Sequence, residues 1–176
     1  MTTPAGRVLL ERASDLFYAE GITAVGVAGI AEAAGVTKKT LYDCFGSKAA
    51  LVVAYLQRRH DLWWAHLQER LAEDPSFLTL FDTYLAHPWF DVDRGCAYQR
   101  AAAELPDEHP GRAVIRMHKE AVRAEIARLV GDTDDPALPD HLFLLLEGAV
   151  ARRGCEGTTA GLEAARRCAD ALVSRK

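Results

Sequence analysis

Hydrophobic residues recur at intervals of three and four along most of the chain, which predicts helices rather than strands. Between Val27 and Leu51 the pattern predicts two short helices joined by a tight turn, with another helix starting directly afterwards. Gly35 can adopt the positive φ at which helices commonly end. Thr37 offers a hydroxyl that can cap the helix that follows. A small-residue turn and a short basic second helix are typical of a helix-turn-helix.

The same periodicity predicts helices on both sides of this segment, so we expect an all-α protein of about nine helices. The helices predicted from periodicity are Arg7–Glu20, Val27–Ala34, Lys38–Phe45, Lys48–Glu73, Ser76–Ala86, Gly111–Val130, and two helices covering 138–150 and 162–173.

Charge is distributed unevenly along the 176 residues, whose formal net charge is −4. Residues 1–60 contain seven Lys and Arg against five Asp and Glu, whereas the rest contains fourteen against twenty. The small basic excess therefore lies in the part that contains the helix-turn-helix, which favours DNA as a partner. No stretch reaches about 18 consecutive apolar residues, and we expect no membrane span and no signal peptide.

The motifs of common enzyme classes are not found in the sequence, and we do not expect an enzyme. It contains no GxSxG elbow, P-loop, GxGxxG turn or HExxH pair. Glu104, Asp107 and His109 lie close together, but in a proline-bounded turn where solvated side chains are expected.

The cysteines and histidines show no spacing that is typical of a metal site, and we expect neither metal nor cofactor. Cys44, Cys96, Cys155 and Cys168 are dispersed, and no ligand-like spacing links Cys96 to His87 or His118. Reduced thiols are the simplest interpretation, while a redox role for Cys96 or Cys44 stays open.

Residues 7–60 resemble the DNA-binding domain of the TetR family of bacterial transcriptional regulators. The matching positions are Arg7-Val8-Leu9, Ala13, Leu16-Phe17, Gly21, Ile30-Ala31, Ala34-Gly35-Val36, Leu41-Tyr42, Phe45, Ser47-Lys48 and Leu51. The resemblance implies a helix-turn-helix domain over residues 1–50, whose fourth helix runs on to about 73. It also implies a helical effector-binding and dimerisation domain over residues 51–176. Within that domain, the segment from Arg94 to Leu105 resembles the sixth-helix region of one TetR subgroup.

In this family the third helix enters the major groove, and the resemblance implies a set of DNA-binding residues. These are Thr37, Lys38, Lys39, Thr40, Tyr42 and Lys48. Tyr42 and Lys48 resemble the family's phosphate-binding tyrosine and lysine. Lysine can also donate to guanine O6 and N7, and threonine can approach a thymine methyl group.

Two features depart from the family pattern. Val25 and Gly26 stand where many members have Thr or Ser, which puts side-chain phosphate contacts from the second helix in doubt. Asp43 brings an acidic group onto the recognition helix. It either accepts from a cytosine N4 amine, or orients Lys39 or another nearby residue.

The resemblance implies an effector pocket and a dimer interface in the second domain. Predicted pocket residues are Trp63, Phe77, Phe81, Tyr84, Trp89, Tyr98 and Met117, with an ordinary aromatic core as the alternative. Predicted interface residues are Leu142, Leu145, Leu146, Ala149, Leu162, Ala165, Ala169 and Leu172, with an internal core as the alternative.

The expected function is that of a cytoplasmic, ligand-responsive repressor. It would bind a palindromic duplex operator as a homodimer and respond to a small-molecule effector. The alternative is a helical small-molecule-binding or interaction protein whose DNA-binding head is weakened.

Overall fold

The computed structural model describes residues 3–86 and 94–174. Within these residues the chain forms nine α-helices and no strand, which confirms the predicted all-α class. The helices are α1 Pro4–Glu20, α2 Val27–Ala33, α3 Lys38–Phe45, α4 Lys48–Glu73, α5 Leu78–Leu85, α6 Ala97–Glu104, α7 Gly111–Val130, α8 Leu138–Glu156 and α9 Ala160–Val173. None of the described helices is long and apolar enough to span a membrane.

Most predicted bounds agree closely with these helices because the helix-ending signals are local, but α8 continues to Glu156, six residues beyond the predicted 150. Thr3 caps α1 by accepting from the Gly6 N–H at 3.1 Å, with proline in the first turn, so α1 begins three residues earlier than predicted. The prediction for α5 is too long at both ends, since Ser76 accepts from the Leu78 N–H in a turn that precedes the helix.

Two compact units make up the fold. One comprises Met1–His60 with Ala97–Arg116, and the other comprises Asp61–Cys96 with Met117–Lys176. These compact units differ from the two functional domains expected from the sequence, whose boundary near residue 50 stays a prediction.

In the first unit, α1, α2 and α3 pack against one another. Leu9, Ala13 and Phe17 form the buried face of α1, and the Phe17 ring lies 5.5 Å from that of Tyr55 on α4. Their spacing of four residues is the stripe that the sequence predicts. Burial of this stripe holds α1, α2 and α3 together.

The turn between α2 and α3 is a Schellman motif, in which two amide groups satisfy the last carbonyls of a helix. The Val36 N–H donates to the Ala31 carbonyl at 2.9 Å, and the Gly35 N–H donates to that of Glu32 at 3.0 Å. Gly35 has φ +65°, a conformation in which L side chains are strained. This turn fixes where α3 begins.

In the second unit, α9 packs against α8 and α5. Arg166 on α9 makes a bidentate ion pair with Asp82 on α5, in which two guanidinium nitrogens donate to the two carboxylate oxygens at 2.6 and 2.9 Å. Arg153 on α8 donates to the Tyr84 carbonyl near the end of α5. These contacts supplement an apolar core formed by α5, α8 and α9.

Candidate nucleic-acid interface

The start of α3 is capped by its own threonines. The Thr37 hydroxyl accepts from the Thr40 N–H at 3.1 Å, and the two hydroxyl oxygens lie 2.9 Å apart. A side-chain acceptor at this position satisfies one of the amide groups that a helix leaves without a partner. Both threonines therefore belong to the structural start of the predicted recognition helix.

One side of α3 is buried and the remaining sides face solvent. Leu41 is its buried residue, while Lys38, Lys39 and Tyr42 are exposed, Tyr42 at 49%. Lys38 makes no hydrogen bond or ion pair with any residue that the structure describes. An exposed surface with free donor groups is the arrangement that a reader of base edges and phosphates needs.

Asp43 contacts Lys39 on the same face of α3. The Lys39 Nζ donates to a carboxylate oxygen of Asp43 at 2.7 Å, one helical turn away, with both side chains mostly exposed. In the protein without DNA, Asp43 therefore orients Lys39, which is one of the roles considered for it. The pair also reduces the net positive charge of α3.

Lys48 lies at the start of α4, directly after the turn that ends α3. Gly46 ends α3 with φ +75°, and the Ser47 hydroxyl accepts from the Ala50 N–H at 3.0 Å. The Lys48 Nζ lies 6.0 Å from the centre of the Phe17 ring. This cation–π contact positions the ammonium group near the start of the helix.

The start of α2 lacks a side-chain cap, as the departure at Val25 and Gly26 indicates. Gly26 is the N-cap residue and supplies no side-chain hydrogen bond. Val25 is buried, so its side chain contributes to the core of the unit rather than to its surface.

A set of polar contacts from α6 holds the end of α1 and was missed by sequence reasoning. Arg100 donates to the Tyr18 carbonyl, and a carboxylate oxygen of Glu104 accepts from the Thr23 N–H at 2.7 Å. Arg59 on α4 also contacts Tyr18, with its guanidinium 4.5 Å from the centre of the Tyr18 ring. Contacts more than 80 residues apart leave no periodic signal in the sequence.

The predicted grouping of Glu104, Asp107 and His109 in a solvated turn is therefore wrong for Glu104. Its carboxylate faces Thr23 and Gly21, whereas Asp107 pairs with Arg112 at 3.2 Å. His109 accepts from the Gly111 N–H at 3.0 Å and so caps α7. Its burial lowers the pKa of the imidazole, which keeps the nitrogen available as an acceptor.

Several predicted pocket residues lie together in the second unit. The Trp63 ring lies 5.2 Å from that of Tyr84 and 5.3 Å from that of His118, and Phe81 is fully buried. Trp63 is 5% exposed, and its indole N–H has no hydrogen-bond partner among the described residues. Buried indole N–H groups usually have a hydrogen-bond partner, so the Trp63 N–H is an unsatisfied donor within this aromatic cluster.

The other predicted pocket residues are distributed differently. Phe77 is buried and Met117 half-buried in the second unit, whereas Tyr98 lies in the first unit and donates to the Leu56 carbonyl at 3.2 Å. Trp89 lies outside the described residues. Among the described residues, no three His, Cys, Asp or Glu side chains group in a way that could hold a metal ion.

Most of the predicted dimer-interface residues are buried within the single chain. These are Leu142, Leu146, Ala149, Leu162, Ala165 and Ala169. Leu145 is half-buried and Leu172 is 39% exposed, so these two remain accessible to a partner. Leu144, which was not predicted, is the most exposed large apolar residue described, at 65%.

Comparison with known proteins gives a family match and solved structures of similar fold. A family model described as bacterial regulatory proteins of the tetR family matches residues 9–55. No curated protein matches the chain.

A TetR-family transcriptional regulator from Streptomyces coelicolor, SCO4454, is 30% identical, with a TM-score of 0.84 over 97% of this chain and 95% of that chain. A TetR transcription regulator from Haloarcula marismortui is 18% identical and similar in fold, with a TM-score of 0.82 over 96% of each chain. The fold, the helix-turn-helix and the match along nearly the whole length agree, and the chain belongs to the TetR family of bacterial transcriptional regulators.

Proposed function

We propose that this regulator is a ligand-responsive repressor that binds a palindromic duplex operator as a homodimer. The observation that carries this proposal is the outward surface of α3, where Lys38, Lys39 and Tyr42 are exposed around a single buried leucine. In this proposal Lys38 reads a base edge, since its ammonium has no competing partner among the described residues. Tyr42 and Lys48 bind phosphates, and the site of action is the cytoplasm.

In this proposal Thr37 and Thr40 also contact DNA, in addition to capping α3. The Thr37 and Thr40 hydroxyls share one hydrogen bond, so in either direction one hydroxyl hydrogen stays free to donate to DNA without breaking the cap. Lys39 reaches a phosphate only after it leaves Asp43, so its contribution to affinity is smaller than that of Lys38.

The experiment that tests DNA reading is selection of bound duplexes from a random library, followed by titration of the selected and a scrambled duplex. Lys38→Ala should reduce the preference for the selected duplex by about 1–3 kcal/mol. Arg12→Ala is the matched control, because it also removes one positive charge, but from an exposed position on α1. This variant should keep the preference for the selected duplex. An unchanged preference in Lys38→Ala would exclude Lys38 as a base reader.

The proposed homodimer uses the accessible face of α8 and the end of α9. Leu144, Gly148 and Ala151 are exposed at intervals of four and three on α8, and Leu172 is exposed on α9. Small residues allow two helices to approach closely. A two-fold dimer would then present two recognition helices to half-sites about 34 Å apart.

Analytical ultracentrifugation tests this interface. We expect Leu144→Glu to sediment as a monomer and to lose cooperative binding to the palindrome, while a single half-site is bound as before. Leu62 is also an exposed leucine, but on α4, so Leu62→Glu is the control that should stay dimeric. Monomers in both variants would indicate a general effect of the charge rather than this interface.

The proposed effector is a small, mainly apolar molecule that carries a hydrogen-bond acceptor. Trp63, Tyr84 and His118 supply aromatic surface, and the Trp63 N–H supplies the donor. Thermal-shift measurement with small aromatic ketones tests this assignment. Trp63→Phe should lose the ligand-induced rise in melting temperature, and Trp64→Phe should keep it. An equal rise in both variants and in the unsubstituted chain would exclude the Trp63 N–H as the donor to the ligand.

Regulation in this proposal is a population shift between two forms of the dimer, of which one matches the operator. A ligand shifts the equilibrium only by its difference in affinity for the two forms. A preference of about 100-fold, or about 2.7 kcal/mol, is sufficient when the forms start near balance.

The alternative function is a helical ligand-binding protein with a weakened DNA-binding head, and the uncapped start of α2 favours it. Salt dependence separates the two. A regulator whose Lys48 and Lys39 neutralise about two to four phosphates per dimer should lose affinity with a slope of about −2 to −4 when the logarithm of the affinity is plotted against that of the salt concentration. Absence of any salt-dependent duplex binding would favour the alternative.

A further inference from the structure

The ion pair between Lys39 and Asp43 lies on the part of α3 that is farthest from the core. Leu41 is the buried residue of α3, and each member of the pair stands two positions from it in the sequence. Two residues turn an α-helix by about 200°, so Lys39 and Asp43 lie about 160° from Leu41 on either side. Their side chains are 83% and 60% exposed. Both therefore project from the outward side of α3, opposite its buried residue.

The stability of the fold does not depend on this ion pair, because exposed pairs within one helix contribute little. A carboxylate alone at this position would repel the phosphates of DNA. A lysine alone would donate to any acceptor in the major groove, whether on guanine, adenine or thymine. With the Lys39 Nζ 2.7 Å from the Asp43 oxygen, the two side chains instead present a donor and an acceptor next to each other.

A G·C base pair has the complementary pattern at its major-groove edge. Guanine offers the acceptors N7 and O6, and cytosine offers the N4 amine as a donor beside O6. O6 and N4 share a Watson–Crick hydrogen bond and lie about 2.9 Å apart, close to the 2.7 Å between the Lys39 Nζ and the Asp43 oxygen. Asp43 uses one of the three N–H groups of the ammonium, which leaves two for guanine, and the carboxylate retains lone pairs for the N4 amine.

An A·T base pair matches the two side chains less well. Its acceptors, adenine N7 and thymine O4, are separated by the N6 amine, so one ammonium group cannot reach both while the carboxylate binds N6. The thymine methyl group lies beside O4, where a charged group would lose water without gaining a hydrogen bond. The ion pair therefore distinguishes G·C from A·T without opening.

We propose that Lys39 and Asp43 together read one G·C base pair in each half-site, with the ammonium on guanine N7 and O6 and the carboxylate on the cytosine N4 amine. This inference rests on the proposed function, since it names a base pair that α3 recognises. The ion pair stays closed on the matching base pair. On other sequences it opens, and Lys39 then reaches a phosphate instead.

The experiment uses the full chain and the duplex selected from the random library, with one base analogue introduced at a time. N4-methylcytosine keeps Watson–Crick pairing but carries a methyl group in place of the N–H that faces the major groove. 7-Deazaguanine keeps pairing but lacks the N7 acceptor. We expect one G·C position in each half-site at which either analogue weakens binding by about tenfold. If the chain binds its selected duplex but no position responds to N4-methylcytosine, the proposal is overturned while the proposed function stands.

Variants assign these responses to the two side chains. Asp43→Ala should bind the N4-methylcytosine duplex as tightly as the ordinary one, and Lys39→Met should bind the 7-deazaguanine duplex as tightly as the ordinary one. Each result is a ratio of two duplexes for one variant, so a general change in affinity cancels. Asp15→Ala is the matched control, because it breaks an exposed ion pair with Arg12 on α1, and it should keep both responses. A response that survives in Asp43→Ala or Lys39→Met would overturn the proposal.

A change of base preference gives a second measurement. Asparagine pairs with adenine N6 and N7, so a new selection with Asp43→Asn should return an A·T pair where the unsubstituted chain selects G·C. Selection of the same G·C pair by both proteins would contradict the role of the carboxylate. If the unsubstituted chain bound no duplex at all, the proposed function and this inference would fail together.

Discussion

The contact between Glu104 and the connection after α1 gives the sharpest prediction for the DNA-binding unit. The Glu104 carboxylate accepts from the Thr23 N–H at 2.7 Å and also lies against Gly21, whose φ of +100° ends α1. Glu104→Ala removes this acceptor. A hydrogen bond to a charged group contributes about 1.5–3 kcal/mol, and the lower end applies because Thr23 is exposed to water.

We therefore expect Glu104→Ala to lower the free energy of local opening at Thr23 by about 1.5 kcal/mol, which is roughly a tenfold faster amide exchange. Glu104→Gln keeps an oxygen acceptor without the charge and should give an intermediate effect. Hydrogen exchange resolved at the Thr23 amide measures the change directly. Duplex affinity, measured on the same samples, should be highest in the unsubstituted chain, lower in Glu104→Gln and lowest in Glu104→Ala.

Glu108→Ala is the matched control, because Glu108 is exposed and has no hydrogen bond or ion pair among the described residues. It changes the net charge equally and should leave Thr23 exchange unchanged. Exchange at Thr23 that is the same in Glu104→Ala as in the unsubstituted chain would refute the assigned role of the carboxylate. An equal change of Thr23 exchange in Glu108→Ala would also refute this role, because loss of a negative charge anywhere in the turn would then explain the result.

Three further predictions follow from named contacts. Asp43→Asn should release Lys39, tighten binding to scrambled duplexes and steepen the salt dependence by about one unit per protomer; an unchanged slope would show that Lys39 stays away from phosphate. Thr37→Ala should destabilise the first unit by about 1 kcal/mol in denaturant titration, and Thr37→Ser should not, because it keeps the capping hydroxyl. The hydrogen bonds from Arg128 hold the pKa of Glu125 below its ordinary value against the opposing effect of burial, so this pair stabilises the fold above the pKa of an unfolded glutamate and less as pH falls through the folded one. Glu125→Gln should therefore be less stable than the unsubstituted chain at pH 7, and the difference should vanish in acid; a difference that is constant with pH would contradict the assignment.

The helices and the recognition surface could be predicted because their signals lie within a few residues of one another. Gly35, Thr37, Gly46 and Ser47 set the ends of α2, α3 and α4 through their own backbone or hydroxyl groups. Leu41 is the buried residue of α3, which packs against α1 and α2, and its position follows the spacing that the sequence displays.

The side chains that couple distant segments could not be predicted in this way. Glu104 meets Thr23 and Lys119 meets Cys96 only after the helices have packed, and charged residues at such positions look like an ordinary solvated surface. The dimer prediction shows the same limit. Periodic apolar residues on α8 and α9 indicate that a face is buried, but not whether the same chain or a partner buries it.

The small buried faces of α2 and α3 lead us to expect that a change in α6 affects DNA binding more than global stability. Among its residues α2 buries only Ile30 and Ala31, and α3 buries only Leu41. Helices of seven and eight residues are unstable in isolation, so α2 and α3 depend on their packing against α1. The end of α1 is in turn held by Arg100 and Glu104 of α6. We therefore expect a change at α6 to reach the recognition surface through α1.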